Sequence, residues 1–254
     1  MGDRRPLITG NWKMHKTASA TRTLLTQLGK QLHGVGGVDV TVAPPFTALG
    51  AAAETLAGGG IGLGAQNMHP AEEGAFTGEI SAVMLVDLGV QFVLVGHSER
   101  RAIFGESDEL VGRKLRTALA HDLIPYLCCG ETREQRESGD TEPVIERQLR
   151  AALQGLPRQR AGDIVVAYEP VWAIGTGLTA SPEQAQNAHA FIRGLLADLL
   201  GPENAARIRI QYGGSVKPGN AAELLSERDI DGALIGGASL DADSFAGIIR
   251  AVAR

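Results

Sequence analysis

Eight short apolar runs recur along the chain and limit what it can fold into more than any other feature. Their mean spacing is about 32 residues, the length of one strand–helix unit. Most are continuously apolar rather than alternating in polarity, which is typical of parallel strands covered by helices. The runs occupy residues 7–10, 38–43, 61–65, 92–96, 123–128, 164–168, 208–212 and 232–236.

Helical patterns fill most of the gaps between these runs. Ser107 precedes Asp108 and Glu109, which suit a helix N-terminus, and a one-sided apolar stripe follows them. Residues 181–184, Ser-Pro-Glu-Gln, combine an N-cap, a proline at the first helical position and a glutamine at the third. A further stripe passes through Ile145, Leu149, Ala152 and Leu156.

Strands and helices alternate from end to end with no linker or low-complexity tract, which predicts one domain over residues 1–254. Eight units in 254 residues match an α/β fold of the (β/α)8 type, with eight parallel strands and outer helices. A doubly wound open sheet is the alternative. The first strand–helix turn has no G-x-G-x-x-G pattern, which argues against dinucleotide binding.

The composition excludes several classes of partner. The net charge of −5 argues against nucleic acid. The apolar runs are far shorter than the ~20 residues of a membrane span, and the N-terminus lacks the apolar region of a signal peptide. The adjacent Cys128 and Cys129 are the only cysteines, and we interpret them as reduced thiols of a cytoplasmic protein. No metal site of the Cys/His type is expected.

The segment 167–177 places one carboxylate at the end of a strand. Pro170 biases the preceding Glu169 toward an extended conformation. A loop with an apolar tip and two glycines follows, and such a tip is unfavourable in water unless the loop closes onto something. We interpret Glu169 as a base at the mouth of a pocket, under a lid that excludes water. A buried turn after a strand is the simpler alternative.

Other polar residues follow other strands, and in such a barrel function collects at the C-terminal strand ends. Asn11 and Lys13 end the first strand, while His97, Ser98 and Glu99 end the fourth. One cation, one imidazole and one isolated carboxylate are therefore expected at a single rim.

Two glycine pairs end the last two strands. Gly213-Gly214 and Gly236-Gly237 each precede a helical segment. Glycine lets a backbone approach a ligand closely, and free N–H groups with a helix N-terminus bind anions. Each pair alone is typical of a tight turn, but together on adjacent strands they favour phosphate binding.

Five segments, taken together, resemble the triosephosphate isomerase family. They span the chain in the family's order, and their combined length makes chance agreement negligible. The resemblance implies a TIM barrel without metal or cofactor that interconverts dihydroxyacetone phosphate and glyceraldehyde 3-phosphate, in glycolysis and gluconeogenesis. The segments are 10–14, 96–101, 167–177, 212–216 and 236–240.

The resemblance also implies a role for each site residue. Glu169 moves a proton between two carbons through an enediol(ate), and a neutral His97 polarises the carbonyl oxygen. Lys13 stabilises negative charge, Asn11 orients the substrate, and Glu99 lies behind Lys13. Backbone amides hold the phosphate at Gly175, Ser215, Gly236 and Gly237.

Two loops have implied roles of their own. The lid comprises Val171, Trp172, Ala173, Ile174, Gly175 and Thr176. Ser98 is implied to hold Glu169 while the lid is open, and Ile174 with Leu234 is expected to desolvate Glu169. The family is usually a homodimer, and residues 74–79 resemble its interdigitating loop, whose Thr77 reaches the partner's site near Lys13.

Two other functions stay open at this point. A Schiff-base aldolase on a barrel would use Lys13 as its nucleophile. An inactive isomerase serving as a binding protein is the other, although intact Lys13, His97 and Glu169 argue against it. The chain departs from common family patterns at Leu178, His15 and Cys129, none of which is assigned a chemical step.

Overall fold

The computed structural model describes residues 4–253, which form a closed barrel of parallel strands. Each strand pairs with the next along the chain, and the eighth pairs with the first. The barrel is therefore of the (β/α)8 type, and the open-sheet alternative is wrong. The expectation of one domain over 1–254 extends past both ends of the described residues and stays a prediction. The strands are β1 Leu7–Asn11, β2 Asp39–Ala43, β3 Ile61–Ala65, β4 Phe92–Val95, β5 Ile124–Cys129, β6 Val165–Tyr168, β7 Arg209–Tyr212 and β8 Gly232–Ile235.

Helices follow the strands on the outside of the barrel. The expected helix start at Ser107 is present, since its side chain accepts from the N–H of Leu110. Ser181 and Gln184 form the expected reciprocal capping box. Leu156 lies beyond the helix that contains the rest of its stripe. The helices are α1 Ala18–Gln31, α2 Leu49–Leu56, α3 Ala82–Asp87, α4 Ser98–Phe104, α5 Asp108–Ala120, α6 Arg133–Glu137, α7 Thr141–Leu153, α8 Pro182–Leu200, α9 Pro202–Arg207, α10 Pro218–Leu224 and α11 Ala242–Val252.

The core has two parts because successive side chains of a strand point to opposite faces. The larger part lies between the strands and the helices. The smaller part is formed by side chains at alternate positions along the strands. Phe92 and Leu94 of β4 belong to it, as do Val165 and Ala167 of β6. Phe92 packs over Gly64, where a Cβ atom would come within 2.1 Å of its ring. The interior of the barrel is thus filled with side chains and is not an open channel.

The register of the last strands places their C-terminal ends side by side. Cys129 pairs with Tyr168, which pairs with Tyr212. The pairing continues one residue further, because the N–H of Glu169 donates to the Cys129 carbonyl at 2.7 Å and the N–H of Gly213 donates to the Tyr168 carbonyl at 2.7 Å. Glu169 is therefore held on both sides by the rim of the barrel.

Candidate active site

A cavity of about 310 Å³ opens at the C-terminal ends of the strands. Most of the residues expected at one site line it, and Ala173 and Ile174 of the lid do as well. Glu99, Thr77 and the lid residues Val171, Trp172 and Thr176 do not belong to the lining. The expected residues that line the cavity are Asn11, Lys13, His97, Glu169, Gly175, Ser215, Gly236 and Gly237.

The Glu169 carboxylate is held by residues that begin α4. The side chain is buried, with 2% of the residue exposed. The backbone N–H of Ser98 donates to Oε2 at 2.8 Å, and the Ser98 hydroxyl donates to Oε1 at 3.2 Å. Ser98 thus contacts Glu169 as the resemblance implies.

His97 lies between α4 and Glu169. It is the N-cap of α4, and its Nδ1 accepts from the backbone N–H of Glu99 at 3.2 Å. An imidazole whose Nδ1 accepts carries its proton on Nε2 when neutral. Nε2 lies 2.9 Å from Oε1 of Glu169. A single proton can therefore lie between the two side chains at the edge of the cavity.

The two side chains shift each other's pKa. Burial alone would raise the pKa of Glu169, but His97 and the Ser98 N–H lower it below its ordinary value. Burial lowers the pKa of His97, but the carboxylates of Glu169 and Glu99 outweigh burial and raise it. The coupling depends on contact, so a molecule that separates the side chains removes it.

Lys13 has a backbone conformation that few non-glycine residues adopt, with φ of +49°. Two amides hold it there. Oδ1 of Asn11 accepts from the Lys13 N–H at 3.1 Å, and Nε2 of Gln66 donates to the Lys13 carbonyl at 2.8 Å. The Lys13 ammonium contacts Oε1 of Glu99 at 2.5 Å. Strain of this kind persists where the surroundings fix it, often at functional sites.

The glycine loops line the same cavity, with Gly213 beside Glu169 and Gly236 beside Lys13. Gly213 and Gly214 leave no room for side chains. A Cβ at Gly213 would come within 2.9 Å of the Tyr168 carbonyl oxygen, and one at Gly214 within 2.2 Å of the Tyr212 hydroxyl. A 3-10 helix, Gly237–Leu240, follows β8, and α10 follows β7. The backbone is thus exposed to the cavity where two short helices begin, an arrangement that suits an anion.

The lid begins with a 3-10 turn, Val171–Ala173, rather than an extended loop. Its apolar tip is partly buried, and Ala173 is fully buried. The indole N–H of Trp172 donates to Oε1 of Glu131 at 2.9 Å, and the Val171 N–H donates to the Glu131 carbonyl at 3.1 Å. The N-terminal part of the lid is therefore fixed to the end of β5.

Sequence reasoning missed Glu131. This carboxylate is fully buried and also accepts from the Tyr168 hydroxyl at 3.1 Å and from Arg136 at 3.3 Å. The Arg136 guanidinium lies 4.5 Å from the Trp172 ring centre. One signal was present, since Glu131 follows β5 by two residues and so lies at the same rim as Glu169.

The two cysteines lie beneath this rim. Both are free and buried. Burial raises the pKa of Cys128 well above its ordinary value and that of Cys129 to about 12. Neither thiol is therefore activated as a nucleophile.

No group of three metal-ligating side chains occurs within residues 4–253. The helices in that part of the chain include none long and apolar enough to cross a membrane.

Comparison with known proteins agrees with this geometry. The sequence model of the family described as triosephosphate isomerase matches residues 6–252. A triosephosphate isomerase of Symbiobacterium thermophilum is 54% identical over 250 residues, or 98% of each chain. That of Roseiflexus castenholzii is 57% identical over 97% of this chain and 97% of its own. That of Chloroflexus aurantiacus is 56% identical over 97% of this chain and 99% of its own. The chain belongs to the triosephosphate isomerase family.

Proposed function

We propose that this chain interconverts dihydroxyacetone phosphate and D-glyceraldehyde 3-phosphate by proton transfer through an enediol(ate). The observation that carries the proposal is the contact of 2.9 Å between Glu169 and His97 at the edge of a cavity that the glycine loops also line. The site offers a base, an electrophile and an anion cradle, which are the groups that this isomerisation requires.

Glu169 is the base in this proposal. Its carboxylate is ionised, since its pKa is held below the ordinary value. Substrate that enters between Glu169 and His97 takes the place of their mutual hydrogen bond. The carboxylate then removes a proton from one carbon and returns it to the neighbouring carbon, and exclusion of water strengthens it as a base.

His97 acts on the substrate oxygens. Once substrate separates it from Glu169, the main influence that raises its pKa is lost, and burial favours the neutral ring. The Glu99 N–H keeps Nδ1 an acceptor, so Nε2–H donates to the carbonyl oxygen. The same nitrogen can then carry protons between the two oxygens of the enediolate.

Lys13 supplies positive charge at the site, and Asn11 and Glu99 position it. The Lys13 side chain forms an ion pair with Glu99 at 2.5 Å. An uncharged amine is required for Schiff-base chemistry, so this ion pair argues against the aldolase alternative. Asn11 holds the strained Lys13 backbone and orients the substrate beside it.

The phosphate group would be held by backbone N–H groups of Gly175, Ser215, Gly236 and Gly237, which surround the glycine-lined part of the cavity. Gly175 belongs to the lid, so phosphate binding and closure of 171–176 are coupled. Closure would bring Ile174, already in the lining with Leu234, over Glu169 and exclude water.

A homodimer is supported by exposed apolar side chains in two segments, residues 74–79 and the stretch that follows β1. Phe76 is 47% exposed and Met14, next to Lys13, is 94% exposed. Exposed apolar side chains mark an interaction surface where they lie together. We place Thr77 near Lys13 of the partner. Phe76→Glu should shift the sedimentation coefficient toward that of a monomer, whereas an unchanged dimer would contradict this assignment.

We also place the protein in the cytoplasm, because both cysteines are free and buried and so suit a reducing compartment. Fractionation of the source cells tests this location.

A coupled assay on the purified protein tests the activity in both directions. Wild type should isomerise both triose phosphates, and Glu169→Gln should lose nearly all turnover while it still binds a phosphoglycolate mimic. An active Glu169→Gln variant would remove Glu169 from the mechanism, and an inactive wild type would refute the proposal. Borohydride trapping with dihydroxyacetone phosphate should leave Lys13 unmodified.

A further inference from the structure

Lys217 lines the cavity beside the glycine loops, between Ser215 and the start of α10. It is exposed, and its backbone N–H is held at 2.7 Å by Oδ1 of Asn220. The backbone at this position is therefore fixed independently of the ammonium group. The residue is thus both exposed and part of the cavity lining.

The charge of Lys217 is not balanced by a neighbouring acid. Lys13, the other lysine of the lining, is paired with Glu99, and Glu169 adds a negative charge. None of the ion pairs formed within residues 4–253 includes Lys217. The whole chain carries a net charge of −5. An approaching phosphate dianion thus meets a negatively charged protein with one uncompensated lysine at the glycine-lined part of the cavity.

We propose that Lys217 is a specificity-determining residue that attracts the substrate's phosphate dianion to the glycine loops. The inference rests on the proposed function, since it assigns a step of the same reaction. Attraction between exposed charges acts over about one Debye length, roughly 10 Å at 0.1 M salt. It raises the rate of productive encounter more than the rate of the chemical step.

The predicted effects follow from the charge alone. Lys217→Gln should lower kcat/KM for triose phosphate by about two- to fivefold at low ionic strength, and Lys217→Glu by roughly tenfold or more, since the charge is reversed against a dianion. Lys217→Arg should retain the wild-type value. The kcat value should stay nearly constant in all three variants.

The matched control is Lys30→Glu. Lys30 is an exposed residue in the last turn of α1 and does not line the cavity. This variant changes the net charge by as much as Lys217→Glu but at a different place. Both variants would be assayed at ionic strengths of about 0.01 M and about 0.3 M. The difference in kcat/KM between the two variants should be large at the lower ionic strength and small at the higher one.

Unphosphorylated D-glyceraldehyde provides the second comparison. It carries no charge, so Lys217→Glu should isomerise it as well as wild type does. If Lys217→Glu lowered kcat/KM equally for the two substrates, Lys217 would have only a structural role and the proposal would be wrong. The proposal would also be wrong if Lys217→Glu lowered kcat/KM for triose phosphate no more than Lys30→Glu does.

Calorimetric binding of 2-phosphoglycolate gives a readout that does not depend on turnover. Its Kd should increase by a similar factor in Lys217→Glu and recover in Lys217→Arg. An unchanged Kd would count against Lys217 even in an active enzyme. If the wild-type protein turned over neither triose phosphate, the proposed function would be wrong. Calorimetry would still decide whether Lys217 attracts the dianion.

Discussion

Nε2 of His97 lies 2.9 Å from Oε1 of Glu169, and both side chains are buried at the rim of the barrel. His97 follows β4 and Glu169 follows β6, two strands that β5 separates in the barrel. Because one titrates as a base and the other as an acid, their contact links the pH dependence of stability to that of catalysis.

The first prediction concerns the stability of this pair. The Glu169 carboxylate raises the pKa of His97 above 6.5, so His97 contributes stability below pH 6.5 that is lost as the pH rises through its folded pKa. His97 and Ser98 lower the pKa of Glu169 below 4.5, so Glu169 contributes stability above that pH that is lost as the pH falls through its folded pKa.

Glu169→Gln should therefore lower the free energy of unfolding most between pH 4.5 and 6.5, and the deficit should shrink above the folded pKa of His97. Urea unfolding between pH 4 and 9 measures this difference. NMR titration should show a lower pKa for His97 in the variant. A deficit that is the same at every pH would show that the pair is not coupled.

The second prediction concerns the reach of the base. Glu169→Asp keeps the charge but withdraws the carboxylate by about one bond, and a misplacement of ~1 Å costs on the order of 10²-fold in rate. We expect kcat to fall by about that factor while binding of 2-phosphoglycolate changes less. The control Glu183→Asp shortens an exposed acid in the first turn of α8 and should retain full turnover. Full activity of Glu169→Asp would contradict the assignment of Glu169 as the base.

The strand positions could be predicted from the sequence because they follow from local patterns. Each apolar run is within one residue of an observed strand at both ends, and residues such as Glu169 and His97 follow from the strand ends. The contacts between those residues could not be predicted. Glu169 and Ser98 are 71 residues apart, and their hydrogen bond exists only because the closed barrel brings the end of β6 toward the start of α4.

The same limit explains why Glu131 was missed. Its carboxylate receives three donors from three different segments, Tyr168, Trp172 and Arg136. Its position two residues after β5 places it at the rim, but nothing else in its own neighbourhood in the sequence distinguishes it from an exposed loop glutamate. The left-handed backbone conformation of Lys13 could not be predicted for a similar reason, because the side-chain amides of Asn11 and Gln66 hold it in place.

The third prediction tests how firmly the rim positions Glu169. A Cβ at Gly130 would come within 1.9 Å of the Glu169 carbonyl oxygen, so Gly130→Ala must displace the end of β6. We expect kcat/KM to fall by about 10²-fold, because the carboxylate moves with its backbone. Gly29→Ala is the control, since Gly29 lies in α1 with open space around it. It should retain activity and gain up to about 1 kcal/mol of stability. Full activity in Gly130→Ala would mean that the rim tolerates movement at Glu169.

The fourth prediction concerns the phosphate cradle. Sulfate should compete with triose phosphate, because both anions would use the backbone N–H groups of the glycine loops. Ser215→Asp places a negative charge in that cradle and should raise the sulfate inhibition constant and KM together. Ser226→Asp, on an exposed serine outside the cavity lining, is the control. Noncompetitive inhibition by sulfate, or none at low ionic strength, would locate the phosphate elsewhere.

The last prediction concerns the attachment of the lid to Glu131. Trp172→Phe removes the indole N–H that donates to this buried carboxylate at 2.9 Å. Loss of a hydrogen bond to a charged group costs about 1.5–3 kcal/mol, so the free energy of unfolding should fall by about that amount. Tyr168→Phe removes another donor to the same oxygen and should destabilise the protein comparably.

The two variants should differ in how the reaction intermediate is protected. Trp172 belongs to the lid and Tyr168 to β6, so only Trp172→Phe loosens the segment that excludes water. An enediolate exposed to water loses its phosphate, and the inorganic phosphate released per isomerisation measures how well the lid closes. This ratio should rise in Trp172→Phe and stay near the wild-type value in Tyr168→Phe. If the ratio rose equally in both, the effect would come from the shared carboxylate of Glu131 and not from the lid.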